Sequence, residues 1–246
     1  MLWIRRLTKR HLSSRRIAFW QKTLYEVATR HFKQVDSKDI DQFLGDAKKN
    51  QGTIYIIRHR RKIVGFGISC YRHIFFKKKK LSFLVLEAGC LDREVRGKHV
   101  LNLIGAREII RYKFSRFRNI FRRVYAVGLC MSPQSYALYS MLRCWGDITE
   151  IPSGYHDLYD AILSAYCSEL GVAYPGCGKP IVIASWVPIS VNIDNSHSSH
   201  SHHSLEKKFS WEPGQGFPII IPIDFCRIFI LLKLLFIHQL NLFRKK

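Results

Sequence analysis

The apolar residues in the first half of the chain alternate between helical and strand-like spacing. Residues 2–8 predict a short first strand, and apolar positions at helical spacing predict a helix over Leu12–Phe32. A second, shorter helix is predicted over Ser37–Ala47. The β-branched and aromatic runs Thr53–Ile57 and Ile63–Cys70 then flank a basic turn, a pattern that is typical of an antiparallel hairpin.

The following segments keep this alternation. A strand is predicted over Ser82–Leu91, after the run Lys77–Lys80, which predicts a solvated loop. A helix follows from Val100, and a buried strand covers Val124–Met131. The pair Ser132-Pro133 predicts the start of a further helix, because proline is favoured in the first helical turn.

Beyond residue 147 the pattern is weaker. A helix is predicted over Tyr155–Leu170 and a strand over Pro180–Val191. A serine- and histidine-rich segment over residues 192–212 predicts a flexible loop, and residues 213–246 contain an apolar strand and helix with a basic end. The sequence therefore predicts four parts: a core over residues 1–150, its helix–strand continuation over 151–191, the loop, and the apolar C-terminal part.

The composition limits the class of protein. The chain has 246 residues, of which 47% are hydrophobic, and a formal net charge of +22, which together exclude an intrinsically disordered chain. The whole excess of charge lies in residues 1–123, which carry 31 basic and 9 acidic side chains. Such a field favours a polyanionic partner, namely nucleic acid, anionic lipid or a phosphorylated cofactor, and a solvated basic surface is the alternative.

The cysteines indicate the compartment. All seven are scattered, and none forms a CxxC pair, so the spacing does not indicate a disulfide framework or a zinc knuckle. They are typical of buried thiols in a reducing compartment. Because the N-terminal stretch has no small-residue cleavage site, we expect a cytoplasmic protein, with peripheral membrane attachment as the alternative.

A glycine-containing turn between a predicted strand and helix carries the candidate chemistry. Residues 91–100 read LDREVRGKHV. This segment resembles motif A of the GNAT superfamily of acyl-CoA-dependent N-acetyltransferases, Gln/Arg-x-x-Gly-x-Gly/Ala, with Glu94, Gly97 and His99 at the three defining positions. Glu94 and His99 depart from the pattern. Downstream, Ser132 stands at the family's asparagine position, and Tyr139 stands at its tyrosine position seven residues later.

The resemblance covers about residues 1–145 and implies a fold and an activity. The implied fold is α/β (α+β), with a mixed, mostly antiparallel central sheet flanked by helices and with a C-terminal extension. The implied reaction is direct transfer of an acetyl or other acyl group from acyl-CoA to an amine, without a covalent enzyme intermediate. Acetyl-CoA or another acyl-CoA is then the co-substrate, no metal takes part, and the basic surroundings favour an acidic or phosphorylated acceptor.

The turn also has a physical basis for binding the CoA pyrophosphate. A helix N-terminus directs unpaired backbone N–H groups and the positive end of its dipole at an anion. Gly97 permits close approach, Arg96 and Lys98 add positive charge, and the bulk of His99 leaves less room. The resemblance also implies that a backbone N–H at Gly89, Cys90 or Leu91, near the end of the predicted strand, holds the thioester carbonyl. Gly89 would permit a local irregularity of the strand there. The candidate cofactor-binding residues are Gly89, Cys90, Leu91, Arg96, Gly97, Lys98, His99 and Ser132.

Two residues are candidates for proton transfer. Glu87 is the candidate general base, because it is the only acid within an apolar strand, and burial raises the pKa of a carboxyl group. In related enzymes a glutamate on this strand often has this role; an ion pair with an arginine is the structural alternative. Tyr139 matches the family's general acid for the departing thiolate. Alternatively, Tyr139 is a core residue, since Tyr136, Tyr139 and Leu142 have helical spacing.

Three further features bear on partners. The loop histidines are interleaved with serines, which favours a loop over a metal site. The basic, aromatic stretches Arg72–Lys80 and Arg111–Arg118 are compatible with nucleic-acid binding, but they equally suit a solvated surface, and nucleic acid is not favoured. Residues 225–246 are interrupted by charges, so they predict a buried helix or, alternatively, an interfacial helix on an anionic membrane surface.

A second hypothesis comes from a different class of function. In this hypothesis the chain is a catalytically silent, acetyltransferase-like scaffold that binds a polyanion or an anionic membrane through its basic first half. The departures at Glu94, His99 and Ser132 keep this alternative open.

Overall fold

One central sheet organises the chain. The computed structural model describes residues 2–7, 9–95, 100–114, 124–131, 136, 139–140, 142, 144–146, 148–183, 186–188, 214–224 and 226–233. The strands of the sheet, in chain order, are β1 (Leu2–Leu7), β3 (Gly52–His59), β4 (Lys62–Phe76), β5 (Lys79–Leu91), β6 (Val124–Cys130), β7 (Ile181–Val182) and β9 (Gln215–Ile223). Their spatial order is β1-β3-β4-β5-β6-β9-β7, and every neighbouring pair is antiparallel except β5 and β6, which are parallel.

Helices cover both faces of this sheet. The four bounded helices are α1 (Ser14–Thr29), α2 (Ser37–Lys48), α3 (Val100–Phe114) and α4 (His156–Glu169), and residues 226–233 are also helical. Two short strands, β2 (Phe32–Lys33) and β8 (Val187–Pro188), pair with each other outside the main sheet. The predicted mixed, mostly antiparallel sheet flanked by helices is confirmed.

The two faces have separate cores. On one face, α1 and α2 bury Leu24 and Leu44 against Ile56 and Phe66, while α4 buries Ile162 beside Phe83 and Val85 of β5. On the opposite face, α3 and the 226–233 helix cover other side chains of β5, β6 and β9, such as Leu84, Ala126 and Ile221. Alternation of side chains along each strand produces this division.

Tight turns close the two hairpins. Both residues of the β3–β4 turn, Arg60 and Arg61, have positive φ (47° and 70°), and so do Lys77 and Lys78 in the β4–β5 turn (46° and 63°). Two-residue hairpin loops favour this conformation because it matches the twist of the strands. The predicted hairpin is confirmed. The predicted lysine loop is wrong in part, because Lys79 and Lys80 extend β5 and only two lysines form the turn.

The late strand prediction needs a larger correction. The sequence predicts one strand over Pro180–Val191, but among residues 180–183 and 186–188, which the structure describes, there are two short strands, β7 and β8, which pair with different partners. Between them Trp186 has φ 60°, in the left-handed region that ends an extended run. Its indole donates a hydrogen bond to Asp39 at 2.7 Å, so tertiary contacts overrule the strand propensity of this segment.

The C-terminal strand β9 extends the sheet beyond β6. β9 pairs with the whole of β6, from Val124–Ile223 to Cys130–Phe217. The sheet therefore draws on three of the four parts predicted from the sequence, because β7 comes from residues 151–191 and β9 from residues 213–246; the division itself stays a prediction. The predicted loop at 192–212 lies outside the described residues. Among the helices that the structure describes, none has the length and apolar character to cross a membrane.

Candidate active site

A cleft opens where the parallel strands β5 and β6 separate. Their pairing ends at Leu86 and Gly128, although β5 continues to Leu91 and β6 to Cys130. The cleft has a volume of about 230 Å³. Space beyond the carboxyl ends of adjacent parallel strands is where ligands bind in open α/β sheets. The residues that line it include Phe32, Leu86, Glu87, Gly89, Leu101, Ile104, Glu108, Met131, Tyr139 and Trp186.

A β-bulge places Glu87 at this cleft. In the β4–β5 ladder, Ser69 pairs with Leu86 and Ile68 pairs with Ala88, which leaves Glu87 as the extra residue of β5. A bulge disrupts the ladder locally and redirects the side chains that follow. Val85, Glu87 and Ala88 therefore share the face covered by α1, α2 and α4, whereas Gly89 faces α3.

The surroundings of Glu87 favour its protonated form. Its side chain is only 10% exposed, and burial raises its pKa from 4.5 to about 7. The guanidinium of Arg72, with Nη2 lying 3.7 Å from Oε1 of Glu87, opposes that rise, while the charges of Glu169 and Asp46 add to it. A carboxyl group with a pKa near neutrality can both accept and release a proton under ordinary conditions.

Arg72 connects Glu87 to two helices. Its Nε lies 2.8 Å from Oε2 of Glu169 on α4, and its Nη2 lies 3.0 Å from Oδ2 of Asp46 on α2. One guanidinium on β4 thus holds three carboxylates from three other elements. The predicted alternative of an ion pair for Glu87 is therefore present in the structure, and it coexists with a position in the cleft. Arg72 belongs to the stretch Arg72–Lys80, whose composition is compatible with nucleic-acid binding, but its side chain pairs with the carboxylates of Asp46, Glu87 and Glu169.

Tyr139 lies on the other wall of the same cleft. Its side chain packs against the α3-side core, and burial is the main cause that raises the pKa of its phenol well above the ordinary value. The phenol therefore keeps its proton at neutral pH. The neighbouring Tyr136 is buried away from the cleft, where its hydroxyl donates a hydrogen bond to Oε2 of Glu150 at 2.9 Å.

The predicted cofactor-binding residues are only partly within the described residues. Gly89, Cys90 and Leu91 pair regularly with β4, so the irregularity of this strand lies at Glu87 and not at Gly89. Gly89 lines the cleft, and a Cβ there would meet a side-chain carbon of Leu101 at 3.1 Å. Cys90 is buried on the α1–α2 face.

The remaining predicted positions are outside the structural description. These are Arg96, Gly97, Lys98, His99 and Ser132. The helix that follows the first four is described from Val100, and its second residue, Leu101, lines the cleft. Within the described part of the chain, no group of three or more histidine, cysteine or acidic side chains is placed to hold a metal ion.

Sequence reasoning missed a second carboxylate in the cleft. Glu108 of α3 is fully buried, and its Oε1 accepts hydrogen bonds from the hydroxyl of Tyr55 at 2.5 Å and from Nε of Arg111 at 2.9 Å. Its Oε2 accepts one from the hydroxyl of Tyr71 at 3.1 Å. The signal in the sequence is an acid on the same helical stripe as Leu101 and Ile104.

An aromatic wall closes the α2 side of the cleft. The ring of Trp186 packs against Phe32, Phe43 and Phe66, with centroids 5.4, 5.8 and 6.3 Å away. Because its indole N–H is held by Asp39, the ring has a fixed orientation. No motif of the sequence pointed to Trp186; it reaches the cleft only through tertiary packing.

Comparison with known proteins gives structural likeness alone. No family model matches the chain, and no curated protein matches it. A GNAT family acetyltransferase from Elizabethkingia anophelis with acetyl-CoA bound is 12% identical, with a TM-score of 0.41, over 90% of this chain and 98% of the other. A mutant of the toxin AtaT bound to the C-terminus of the antitoxin AtaR is 12% identical, with a TM-score of 0.39, over 60% and 85%.

A third similar structure is an aminoglycoside acetyltransferase from an uncultured soil metagenomic sample. It is 19% identical, with a TM-score of 0.35, over 57% of this chain and 86% of the other. Acetyltransferases thus recur among the similar structures, and some of these structures hold acetyl-CoA. The function proposed below rests on the cleft of this chain and on its motif.

Proposed function

We propose that this protein is an acyl-CoA-dependent N-acyltransferase, and that acetyl-CoA is its donor. One observation carries the proposal: Glu87, a buried carboxyl group with a pKa of about 7, bulges out of β5 at the point where two parallel strands separate into a cleft. A group of this kind is suited to take a proton from an amine near neutral pH. The resemblance of residues 91–100 to motif A supports the same activity.

The proposed reaction is a direct transfer. The amine nitrogen attacks the thioester carbonyl carbon, the carbon–sulfur bond breaks, and an amide and free CoA result. Glu87 accepts the proton that the amine loses, and Tyr139 donates a proton to the departing thiolate. The raised pKa of Tyr139 keeps that proton in place before the transfer, and the low polarity of its surroundings makes an unprotonated thiolate costly there.

The cleft suits the donor in shape and polarity. Acyl-CoA supplies the activated thioester at the end of a narrow pantetheine arm that carries two amide groups. Apolar side chains line the cleft, among them Leu86, Leu101 and Met131. Where β5 and β6 no longer pair, their backbone groups can bond to such amides. In this proposal Arg96, Gly97 and Lys98 hold the pyrophosphate ahead of α3.

The proposal is tested by binding and by turnover. Acetyl-CoA is expected to raise the thermal midpoint of the full chain, because a ligand that binds only the native state stabilises it. Release of CoA with a panel of primary amines is then followed by reaction of the free thiol. Stabilisation with transfer supports the enzyme, whereas stabilisation without transfer to any amine favours the silent scaffold. Absence of both overturns the proposal.

A further inference from the structure

A basic and aromatic surface lies at the β1 edge of the sheet, away from the cleft. We call it the edge surface and define it by Trp3, Arg5, Arg10, Arg16 and Arg58. Trp3 is 45% exposed on the outermost strand. The guanidinium carbons of Arg5 and Arg58 lie 5.8 and 5.9 Å from the centroid of its ring, within the range of a cation–π interaction.

The start of α1 continues this surface. Burial lowers the pKa of His11, and the positive charges of Arg5, Arg10 and Arg16 lower it further, so all three charges act on one imidazole. The backbone of His11 is fixed, because its carbonyl accepts a hydrogen bond from the indole of Trp20 at 3.0 Å. The charges of β1 and of the start of α1 therefore form one field.

In the part of the chain that the structure describes, no carboxylate pairs with the arginines of the edge surface. Residues 1–25 contain no aspartate or glutamate. Among the described residues, no ion pair involves any of the four arginines of the surface, whereas Arg72 and Arg111 each have a carboxylate oxygen within 3.0 Å. The first turn of α1 also carries Arg16 with no acid, at the end where the helix dipole is already positive.

Grouping these charges costs stability unless an anion binds them. Phosphates satisfy the arginines, and an exposed indole beside two guanidiniums offers a stacking surface to a base. An interfacial membrane site would instead need a broad apolar face beside the charges. An aromatic ring among cations suits an unpaired strand, whose bases are free to stack, whereas bases inside a duplex are already stacked.

We propose that the edge surface binds single-stranded nucleic acid, with phosphates on Arg5, Arg10 and Arg16 and one base stacked on Trp3. The surface lies on the same sheet face as Glu87, and β1 is three strand spacings from β5, about 14 Å. This binding does not depend on acyl transfer. The proposal therefore stands or falls separately from the proposed function.

The test is the binding of a labelled 12-nucleotide oligouridine to the full chain, measured by fluorescence anisotropy at several salt concentrations. We expect the affinity to fall steeply as salt rises, because phosphate contacts release counterions. W3A and R10A/R16A should each weaken binding at least tenfold, and Trp3→Phe should retain most of it. The matched control is K48A/K49A, which removes the same charge from exposed positions at the end of α2 and should change the affinity less than twofold.

Four results would overturn the proposal: no binding at low salt, an equal loss in the control and in R10A/R16A, unchanged binding by W3A, or preference for a duplex of the same length. The variants are first compared with the parent by circular dichroism, so that loss of fold is recognised. Flotation with phosphatidylserine vesicles separates a membrane surface from a nucleic-acid surface. A fifth contrary result would be edge variants that lose vesicle binding and still bind oligouridine as the parent does.

Discussion

The guanidinium of Arg72 lies 3.7 Å from a carboxylate oxygen of Glu87, which occupies the bulge of the neighbouring strand. This contact stabilises the charged form of Glu87 and partly offsets the effect of its burial. The two residues therefore set together the pH at which Glu87 can act as a base. The first predictions follow from this pair.

Replacing Glu87 by glutamine should abolish most of the acyl transfer. A positioned general base contributes about 10²–10⁴-fold, and glutamine keeps the shape of the side chain without its basicity. In the parent protein the rate should rise with pH through about 7, where Glu87 loses its proton. Initial rates between pH 5.5 and 9 check both points. Unchanged turnover and an unchanged pH profile in E87Q would remove Glu87 from the mechanism.

The same variant should change how stability depends on pH. The pKa of Glu87 is raised in the folded state from 4.5 to about 7, so the native state binds more protons than the unfolded state between these values. Its contribution therefore favours folding below about pH 4.5 and is lost as the pH rises to 7, a change of about 3 kcal/mol. Urea unfolding at pH 5 and pH 8 should show E87Q gaining stability over the parent as the pH rises. A pH-independent difference would contradict this.

Arg72→Gln should move the active range of pH upward. Loss of the positive charge raises the pKa of Glu87 further, by on the order of one unit, so the rising limb of the rate profile shifts to higher pH. Arg72→Lys keeps a charge at this position and should shift the limb less. The global stability falls in both variants, since Asp46 and Glu169 lose their partner. If R72Q loses stability while its pH profile stays the same, Arg72 has only a structural role.

Tyr139→Phe should lower kcat at least tenfold while acetyl-CoA still stabilises the protein, because the hydroxyl is needed only when the thiolate departs. Tyr136→Phe is the matched control, since it removes a hydroxyl three residues away that bonds to Glu150 and does not line the cleft. We expect the control to lose stability and keep its turnover. Full activity in Y139F would leave Tyr139 as a core residue.

Glu108→Ala should destabilise the fold by about 2–3 kcal/mol. The substitution leaves the hydroxyl of Tyr55 without its acceptor and removes the carboxylate that pairs with Arg111. Glu108→Gln retains the volume and one acceptor oxygen and should cost less. Denaturant midpoints of the two variants give the comparison. Equal stability of E108A and the parent would show that the network contributes nothing.

The order of elements could be predicted from the sequence because it depends on local periodicity. The β3–β4 hairpin, the strand that follows it and the helices starting at Ser37 and Val100 follow from the spacing of apolar residues. Glu87 was found for a similar reason, since a single acid in an apolar strand stands out. Each of these signals depends on residues that are close together in the sequence.

The missed features depend on contacts that are distant in the sequence. The bulge at Glu87 exists only in the pairing with β4. Glu108 accepts hydrogen bonds from Tyr55 and Tyr71, which precede it by 53 and 37 positions in the sequence. Trp186 reaches the cleft because it packs on Phe32 and bonds to Asp39, 147 residues earlier. Strand propensity alone therefore gave a continuous late strand that the structure does not have.

The pairing of β6 with β9 has a consequence for synthesis of the protein. Residues 124–130 can pair with β5 as soon as they are synthesised, but their second partner strand is present only when residues 215–223 have left the ribosome. Until that moment one edge of β6 presents unpaired N–H and C=O groups, the kind of edge that attracts other strands. Because such distant pairing is slow to form, a nascent chain stays open to misassembly for much of its translation, and we expect it to depend on chaperones until the last strand closes the sheet.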